Sequence, residues 1–290
     1  MEYINTKIAN VRQNFAAMQG RLSCPLCHQP LQIQNNSFSC SQGHCFDLSA
    51  QNYLNLAPQK KQNTNLYTTE LFKARRQIFE AGLYDPLLEN LLSHSKASLQ
   101  ASNSKQPILL DAGCGEGFFA SKLHQQINGL TVCALDLAKN AVQLAAKGPV
   151  CPGFYCVIGD LANLPLLDNS IDILLNLLSP ANYQEFARVL KPGGLLIKVI
   201  PGSEYLKEVR QALQIQAPER AERQALDLWQ QHISPLQTQI HKLTYQKAVT
   251  PEQAAAFVQM SPLSFNHQPS AVKADFSQIT IDLRILIATR

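Results

Sequence analysis

Two groups of residues in this 290-residue chain have the types and spacing that chemistry needs. The first is Cys24-Pro-Leu-Cys27, followed after twelve residues by Cys40-Ser-Gln-Gly-His44. Paired ligands on two tight turns can reach the corners of a tetrahedron, and thiolates with a neutral imidazole suit zinc. Four protein ligands leave no open position, so the site is structural, one ion per chain, and supplies folding energy to a segment too small for much of a core. His28 and Cys45 each adjoin one of these residues and are rival ligands. The second group is Asp111-Ala-Gly113-Cys-Gly115-Glu116-Gly117, where an apolar strand runs into a glycine turn and then a helical segment. Glycines there let backbone approach a ligand closely, and the leading acid points to S-adenosylmethionine more than to a dinucleotide. Asp136 ends the next strand, placed to bind ribose hydroxyls. Asp160 follows the third strand, near the expected adenine, or else caps a turn.

These groups require a frame. Strands are expected at Leu130–Asp136, Phe154–Ile158, Ile171–Leu177 and Leu195–Ile200, with helices over Leu137–Lys147 and Tyr183–Leu190 and a Lys191-Pro-Gly-Gly turn before the fifth strand. A helical stretch holds Trp229 as a packing residue. A strand near Leu243–Tyr245, a helix over Pro251–Met260 and a final strand over Phe276–Ile287 complete the sheet. This is a doubly wound, Rossmann-like α/β domain with a seven-stranded sheet. The polar segment from Ala57 to Thr69 reads as a linker, and a helix capped by Thr68 or Thr69 follows it. The expected organisation is an N-terminal extension over 1–20, a zinc module over 21–57, a linker over 58–69 and the cofactor domain over 70–290. Phe38, Phe46, Tyr53 and Leu56 are expected to form the module's apolar layer.

Charge is uneven. Residues 1–76 carry a net +5 and the remainder −1. Lys60 and Lys61 in the linker, with Lys73, Arg75 and Arg76 on the helix after it, are candidates for phosphate contacts of a polyanionic partner, an ordinary solvated face being the alternative. The clustering of four of the eight cysteines within residues 24–45 favours metal over disulfides. There is no run of about 18 apolar residues, and the first twenty residues lack the apolar stretch of a signal peptide, so a soluble, cytoplasmic protein is expected.

The C-x2-C-x12-C-x3-H module, the Phe46-Asp47 that follows it, the segment from Ala74 to Leu87 (A-R-R-x-x-F-x-x-G-x-Y-x-P-L), the D-A-G-C-G-E-G loop and the "ARVLKPGG" segment together resemble the 23S rRNA guanine-N1 methyltransferases, the RlmA family. The resemblance runs from about Ser23 to near the C-terminus. It implies a class I S-adenosylmethionine-dependent fold, zinc at Cys24, Cys27, Cys40 and His44, and cofactor contacts at Tyr84, Gly115 and Glu116. It further implies a guanine in an rRNA hairpin loop as substrate, and a homodimer whose zinc modules help shape an RNA cleft. The chain departs from the family at Asn65-Leu66, where relatives have Gly-Asp, and at Tyr205, a cofactor position where the family can place histidine. Residues 1–20 extend beyond the family's usual start.

In such a reaction the guanine N1 displaces the methyl group in line, and positioning of the two reactants supplies most of the catalysis. N1 must also lose its proton. Asn176 and Ser179, at the end of the fourth strand, face the substrate side in such folds and are candidates for contacts to the base. Glu116 or a water is the alternative acceptor. Two other readings of the residues stay open: a small-molecule methyltransferase with a structural zinc module, and a zinc-dependent RNA-binding protein with a silent cofactor domain.

Overall fold

The computed structural model describes residues 2–60, 66–102, 104–216, 220–233, 237–265 and 274–290. Five central strands, β5 (Ile108–Ala112), β6 (Thr131–Asp136), β7 (Phe154–Ile158), β8 (Ile171–Leu177) and β9 (Leu190–Pro201), pair in parallel in the order β7-β6-β5-β8-β9. β11 (Gln278–Thr289) runs antiparallel to β9, and β10 (Gln237–Ala248) antiparallel to β11. These are the seven expected strands. β5, β7 and β8 are apolar almost throughout because helices cover both faces of the sheet.

The period of two along each strand sorts the core into two layers. Leu109, Val132, Ala134 and Cys156 pack with α2 (Thr69–Glu80), α3 (Asp85–Ala101), α4 (Phe118–Gln126) and α9 (Pro251–Met260). Ile108, Leu110, Cys133, Leu135 and Tyr155 pack on the other face with α6 (Tyr183–Val189) and α8 (Ala221–Ile233), where Trp229 is 1% exposed. Two further short helices, α5 (Lys139–Ala145) and α7 (Lys207–Ala212), complete the connections.

Three features depart from the expected frame or extend it. The Lys191-Pro-Gly-Gly segment is part of β9 rather than a turn before it: Gly193 N–H donates to the Arg290 carbonyl at 2.7 Å and Arg290 N–H to the Gly194 carbonyl at 3.0 Å. The C-terminus thus recruits the segment into the sheet. Second, the strands β1 (Gln32–Gln34), β2 (Ser37–Ser39), β3 (Cys45–Ser49) and β4 (Tyr53–Asn55) of the cysteine module continue this sheet. β4 lies parallel to β7, with Tyr53 opposite Cys156 and Asn55 opposite Ile158, so among the described residues the sheet has eleven strands. Third, the N-terminal extension forms α1 (Glu2–Phe15), which buries Val11, Phe15 and, in the turn after it, Met18. Phe15 meets Phe38 of the module at 6.5 Å and Tyr155 of β7 at 5.4 Å, both edge to face. Asn14 donates to the Phe154 carbonyl and accepts from Gly153 N–H. Residues 14–18 therefore clamp the module to the cofactor domain.

Candidate functional site

In the cysteine module, Cys24 and Cys27 lie on one turn and Cys40 and His44 on a second, whose bend is made by Gly43 at φ +83°. Cys24 Sγ lies 3.5 Å from His44 Nδ1, Cys40 Sγ 3.4 Å from the same nitrogen, and Cys27 Sγ 3.6 Å from Cys40 Sγ. All four ligand atoms lie within 4.8 Å of one another. Zinc–sulfur bonds near 2.3 Å and zinc–nitrogen bonds near 2.0–2.1 Å give a tetrahedron edges of roughly 3.5–3.8 Å, so the donor set fits zinc. His28 and Cys45, the rival ligands, are exposed and stand outside the cluster.

The second site is a cavity of about 1000 Å³ at the carboxyl ends of β5, β6, β7 and β8, where a doubly wound sheet binds ligands. Asp111, Gly113, Glu116, Asp136 and Asp160 line it together with Tyr84, Ser179 and Tyr205. The loop after β5 is built on left-handed backbone: Gly113, Gly115 and Gly117 have φ of +86°, +56° and +72°, and Gly117 caps α4. A Cβ on Gly113 would meet Ser179 Oγ at 2.1 Å, so only glycine fits beneath the β8 loop. Asp136 fastens this loop, accepting Gly115 N–H at 2.8 Å and Ala138 N–H at 2.7 Å, one on each carboxylate oxygen.

Of the three carboxylates here, Asp111 and Glu116 are buried and Asp136 is half-buried. Asp111 is 2% and Glu116 1% exposed, and among the described residues Asp111 Oδ1 and Glu116 Oε2 have no hydrogen-bond partner. Burial, then the neighbouring Asp136 and Glu116, pushes the Asp111 carboxyl up to about 8. Burial raises Glu116 to about 7 against the opposing pull of Arg75, and raises Asp136 against the N–H groups of Ala138 and Gly115. Such a site is made for a ligand that brings positive charge and hydroxyl donors. S-adenosylmethionine brings a sulfonium, an ammonium and ribose hydroxyls, so the residues fit it. On the far wall Tyr84 and Tyr205 share a hydrogen bond of 2.7 Å, and burial pushes the Tyr205 phenol up to about 12, keeping it protonated.

Other expected residues take different places. Asp160 lines the cavity but also pairs with Lys60 at 2.9 Å and caps Ala162 N–H at 2.9 Å. The three bases of α2 do not share one face: Lys73, exposed, and Arg76, which pairs with Glu80 at 3.5 Å, lie three residues apart on one side, whereas Arg75 turns into the cavity wall, its guanidinium 5.4 Å from the Phe72 ring centre. Lys61 and Asn65 lie outside the described residues. Asn176 does not line the cavity. It is fully buried, donates to the Ala112 and Pro180 carbonyls at 2.7 and 3.0 Å, and accepts from Lys198 at 2.6 Å.

Lys198 went unsuspected in the sequence, since one lysine in an apolar strand carries no local signal. It is 5% exposed, also donates to the Ser179 carbonyl at 3.0 Å, and is lowered to about 8 by burial. It thereby fixes the loop after β8, in which Leu178 adopts φ +50° while exposed at the cavity. A bulky residue held there costs about 1–3 kcal/mol, which marks a position over-determined by its surroundings.

Comparison with known proteins agrees with this geometry. Residues 22–64 match the zinc-ribbon family described as RlmA, N-terminal, and residues 110–198 match a methyltransferase domain family. Over 92% of this chain and 96% of the relative, it is 31% identical to "Putative 23S rRNA (guanine-N(1)-)-methyltransferase YxjB" of Bacillus subtilis (strain 168). It is also 31% identical, over 66% of this chain and 67% of the relative, to the 23S rRNA (guanine(748)-N(1))-methyltransferase of Streptomyces fradiae. The malonyl-[acyl-carrier protein] O-methyltransferase of Yersinia pestis is 35% identical over only 37% of this chain and 41% of its own length.

Proposed function

The chain belongs to the family of 23S rRNA (guanine-N1-)-methyltransferases, and from that premise we propose that it transfers the methyl group of S-adenosylmethionine to N1 of a guanine in 23S rRNA. The observation that carries this reading is the joining of two sites in one sheet: a four-ligand zinc cluster at one edge and a carboxylate-lined cavity at the strand ends. A small-molecule enzyme needs only the second. The Yersinia pestis relative is similar over 37% of this chain, whereas the rRNA relatives are similar across both sites.

Bound in the cavity, S-adenosylmethionine supplies an electrophilic methyl group on a sulfonium. Asp111 and Glu116 hold its positive amino-acid end, Asp136 its ribose hydroxyls and Asp160 the adenine edge. Gly113, Gly115 and Gly117 give it close backbone approach. Tyr84 and Tyr205 close the apolar wall and keep water from it. The guanine enters beside Ser179 and Leu178, on a loop whose shape Asn176 and Lys198 set from beneath, so these two position the site without touching the base. Zinc at Cys24, Cys27, Cys40 and His44 holds the ribbon on the edge of β7. Lys60, Lys73 and Arg76, with Lys61, meet RNA phosphates, while Arg75 acts within the cavity. The same reading includes a target in an rRNA hairpin loop, a homodimer in which the ribbons flank the RNA, and action in the cytoplasm. No helix among the described residues is long and apolar enough to cross a membrane.

Incubating the protein with labelled S-adenosylmethionine and unmodified 23S rRNA, then digesting to nucleosides, tests the reading. Label recovered as 1-methylguanosine is expected. Label on another base, or none with zinc and cofactor bound, would contradict it.

A further inference from the structure

Methylation at guanine N1 releases a proton that the ring holds at neutral pH, so the cavity needs an acceptor. Of the two residues first suggested for contact with the base, Asn176 is already engaged: its Oδ1 accepts from the Lys198 ammonium and its amide donates to the Ala112 and Pro180 carbonyls. Ser179 offers a hydroxyl, which is far too weak a base to hold the proton at neutral pH. Glu222, which also lines the cavity, is paired with Arg284 at 2.6 Å and with Ser203 N–H at 2.8 Å. Glu116 is 1% exposed and tied electrostatically to Arg75 and Asp136 in the cofactor half.

His232, in the last turn of α8, lines the same cavity. Its ring stacks on Tyr183 at 5.3 Å with 26° between the planes, and Tyr183, held at the start of α6 by the Asn182 cap, also faces the cavity. His232 Nδ1 lies 2.9 Å from the Leu228 carbonyl. A carbonyl oxygen has no proton to give, so Nδ1 carries the hydrogen, and in the neutral ring Nε2 must then hold an unshared pair. Among the described residues no donor is paired with Nε2. Stacking fixes the plane of the ring and the Leu228 carbonyl fixes its tautomer, which are the two conditions a positioned base must meet.

We propose that Nε2 of His232 accepts the N1 proton of the target guanine. This rests on the reading of N1 as the methylated atom. The N1–H bond breaks and its proton passes to Nε2. The electron pair left on N1 forms the new bond to the methyl carbon, while the carbon–sulfur bond breaks and its pair stays on sulfur. The imidazolium returns its proton to water between turnovers. On the elements that pack against α8, the titratable groups are otherwise occupied: on α6, Tyr183 stacks on the ring itself while Glu185 and Arg188 pair with each other, on β9, Lys191 pairs with Asp172 and Lys198 with Asn176, and on β11, Arg284 pairs with Asp282 and with Glu222 of α8 itself.

The test compares full-length, zinc-loaded wild type with His232→Gln and His232→Asn, measuring kcat and KM on 23S rRNA from pH 5.5 to 8.5 and the Kd of S-adenosylhomocysteine. A positioned general base contributes about 10²–10⁴-fold. Both variants are expected to lose about 10²-fold or more in kcat and the acid limb of the pH profile, with KM and Kd unchanged and activity partly restored by added imidazole. Retention of kcat and the acid limb would overturn the assignment, and so would loss of kcat accompanied by loss of cofactor or RNA affinity, which marks a structural role. A wild type that forms no 1-methylguanosine overturns this inference together with the reading it rests on; an active wild type with unaffected variants overturns this inference alone.

Discussion

The carboxylate of Asp136 holds the backbone N–H of Gly115 at 2.8 Å, so the acid that ends β6 fixes the shape of the glycine loop that follows β5. Its second oxygen starts α5 through Ala138 N–H. Asp136→Ala removes both bonds as well as the expected ribose acceptor. Hydrogen bonds to a charged group are worth about 1.5–3 kcal/mol each, so the Kd for S-adenosylhomocysteine is expected to rise by about 100-fold or more. Calorimetric titration checks this; an unchanged affinity would remove Asp136 from the site.

Gly113 and Ser179 make a second pair. A Cβ on Gly113 would sit 2.1 Å from Ser179 Oγ and 2.8 Å from its Cβ, at a φ of +86° that L side chains avoid. Gly113→Ala is expected to abolish measurable cofactor binding and to lower Tm by several degrees, about what a loss of 1–3 kcal/mol produces in a domain of this size. Adding Ser179→Gly relieves the clash but not the backbone strain, so recovery should be partial. Full recovery in the double variant, or no effect in the single one, would show that the loop is looser than described.

Much of this site was legible because its parts are local. The D-x-G-x-G-x-G loop and the C-x2-C and C-x3-H pairs are fixed by spacing within one turn, and they stand where that spacing requires. Short apolar runs bounded by turn residues marked the strands of the cofactor sheet for the same reason. What could not be read depends on contacts between distant segments: β4 alongside β7, α1 bridging Phe38 and Tyr155, Lys198 beneath Asn176, and His232 against Tyr183. The bases of α2 were read together because they are close in sequence, but a rotation of about 100° per residue sends Arg75 to a different face from Lys73 and Arg76.

The buried carboxylates make cofactor affinity depend on pH. Folded-state values near 8 for Asp111 and near 7 for Glu116 lie above those of free carboxyls, so near pH 6 both are largely protonated in the empty site. A cationic ligand favours their ionised forms, so binding releases protons and tightens as pH rises from 6 to 7. By the same sign, the empty protein loses stability as pH rises from the ordinary carboxyl range toward 7–8, because the unfolded chain gives up these protons first. Calorimetry in two buffers of different ionisation enthalpy should show net proton release near pH 6.5. Proton uptake, or affinity falling over this interval, would contradict the arrangement.

Zinc removal should separate the two sites. The loop that carries Gly113, Gly115 and Glu116 is held by β5 and β6, while the ribbon meets the domain elsewhere, through β4 on β7 and through Leu22, Ser23 and Pro25 on the segment from Asn163 to Leu166. Cys24→Ser is expected to abolish zinc binding, lower Tm and eliminate rRNA methylation, while S-adenosylhomocysteine affinity stays within a few-fold. Metal analysis and titration on the same sample decide it. Full rRNA activity in metal-free protein would dismiss the structural role of zinc.

The most direct test of the central claim is primer extension across 23S rRNA that lacks its native methyl groups, after treatment with the protein and S-adenosylmethionine. Methylation of N1 blocks Watson–Crick pairing, so the account predicts one strong stop adjacent to a single guanine, absent when cofactor is omitted and absent with Asp136→Ala. Read-through along the whole rRNA, from protein shown to hold zinc and to bind the cofactor, would contradict it.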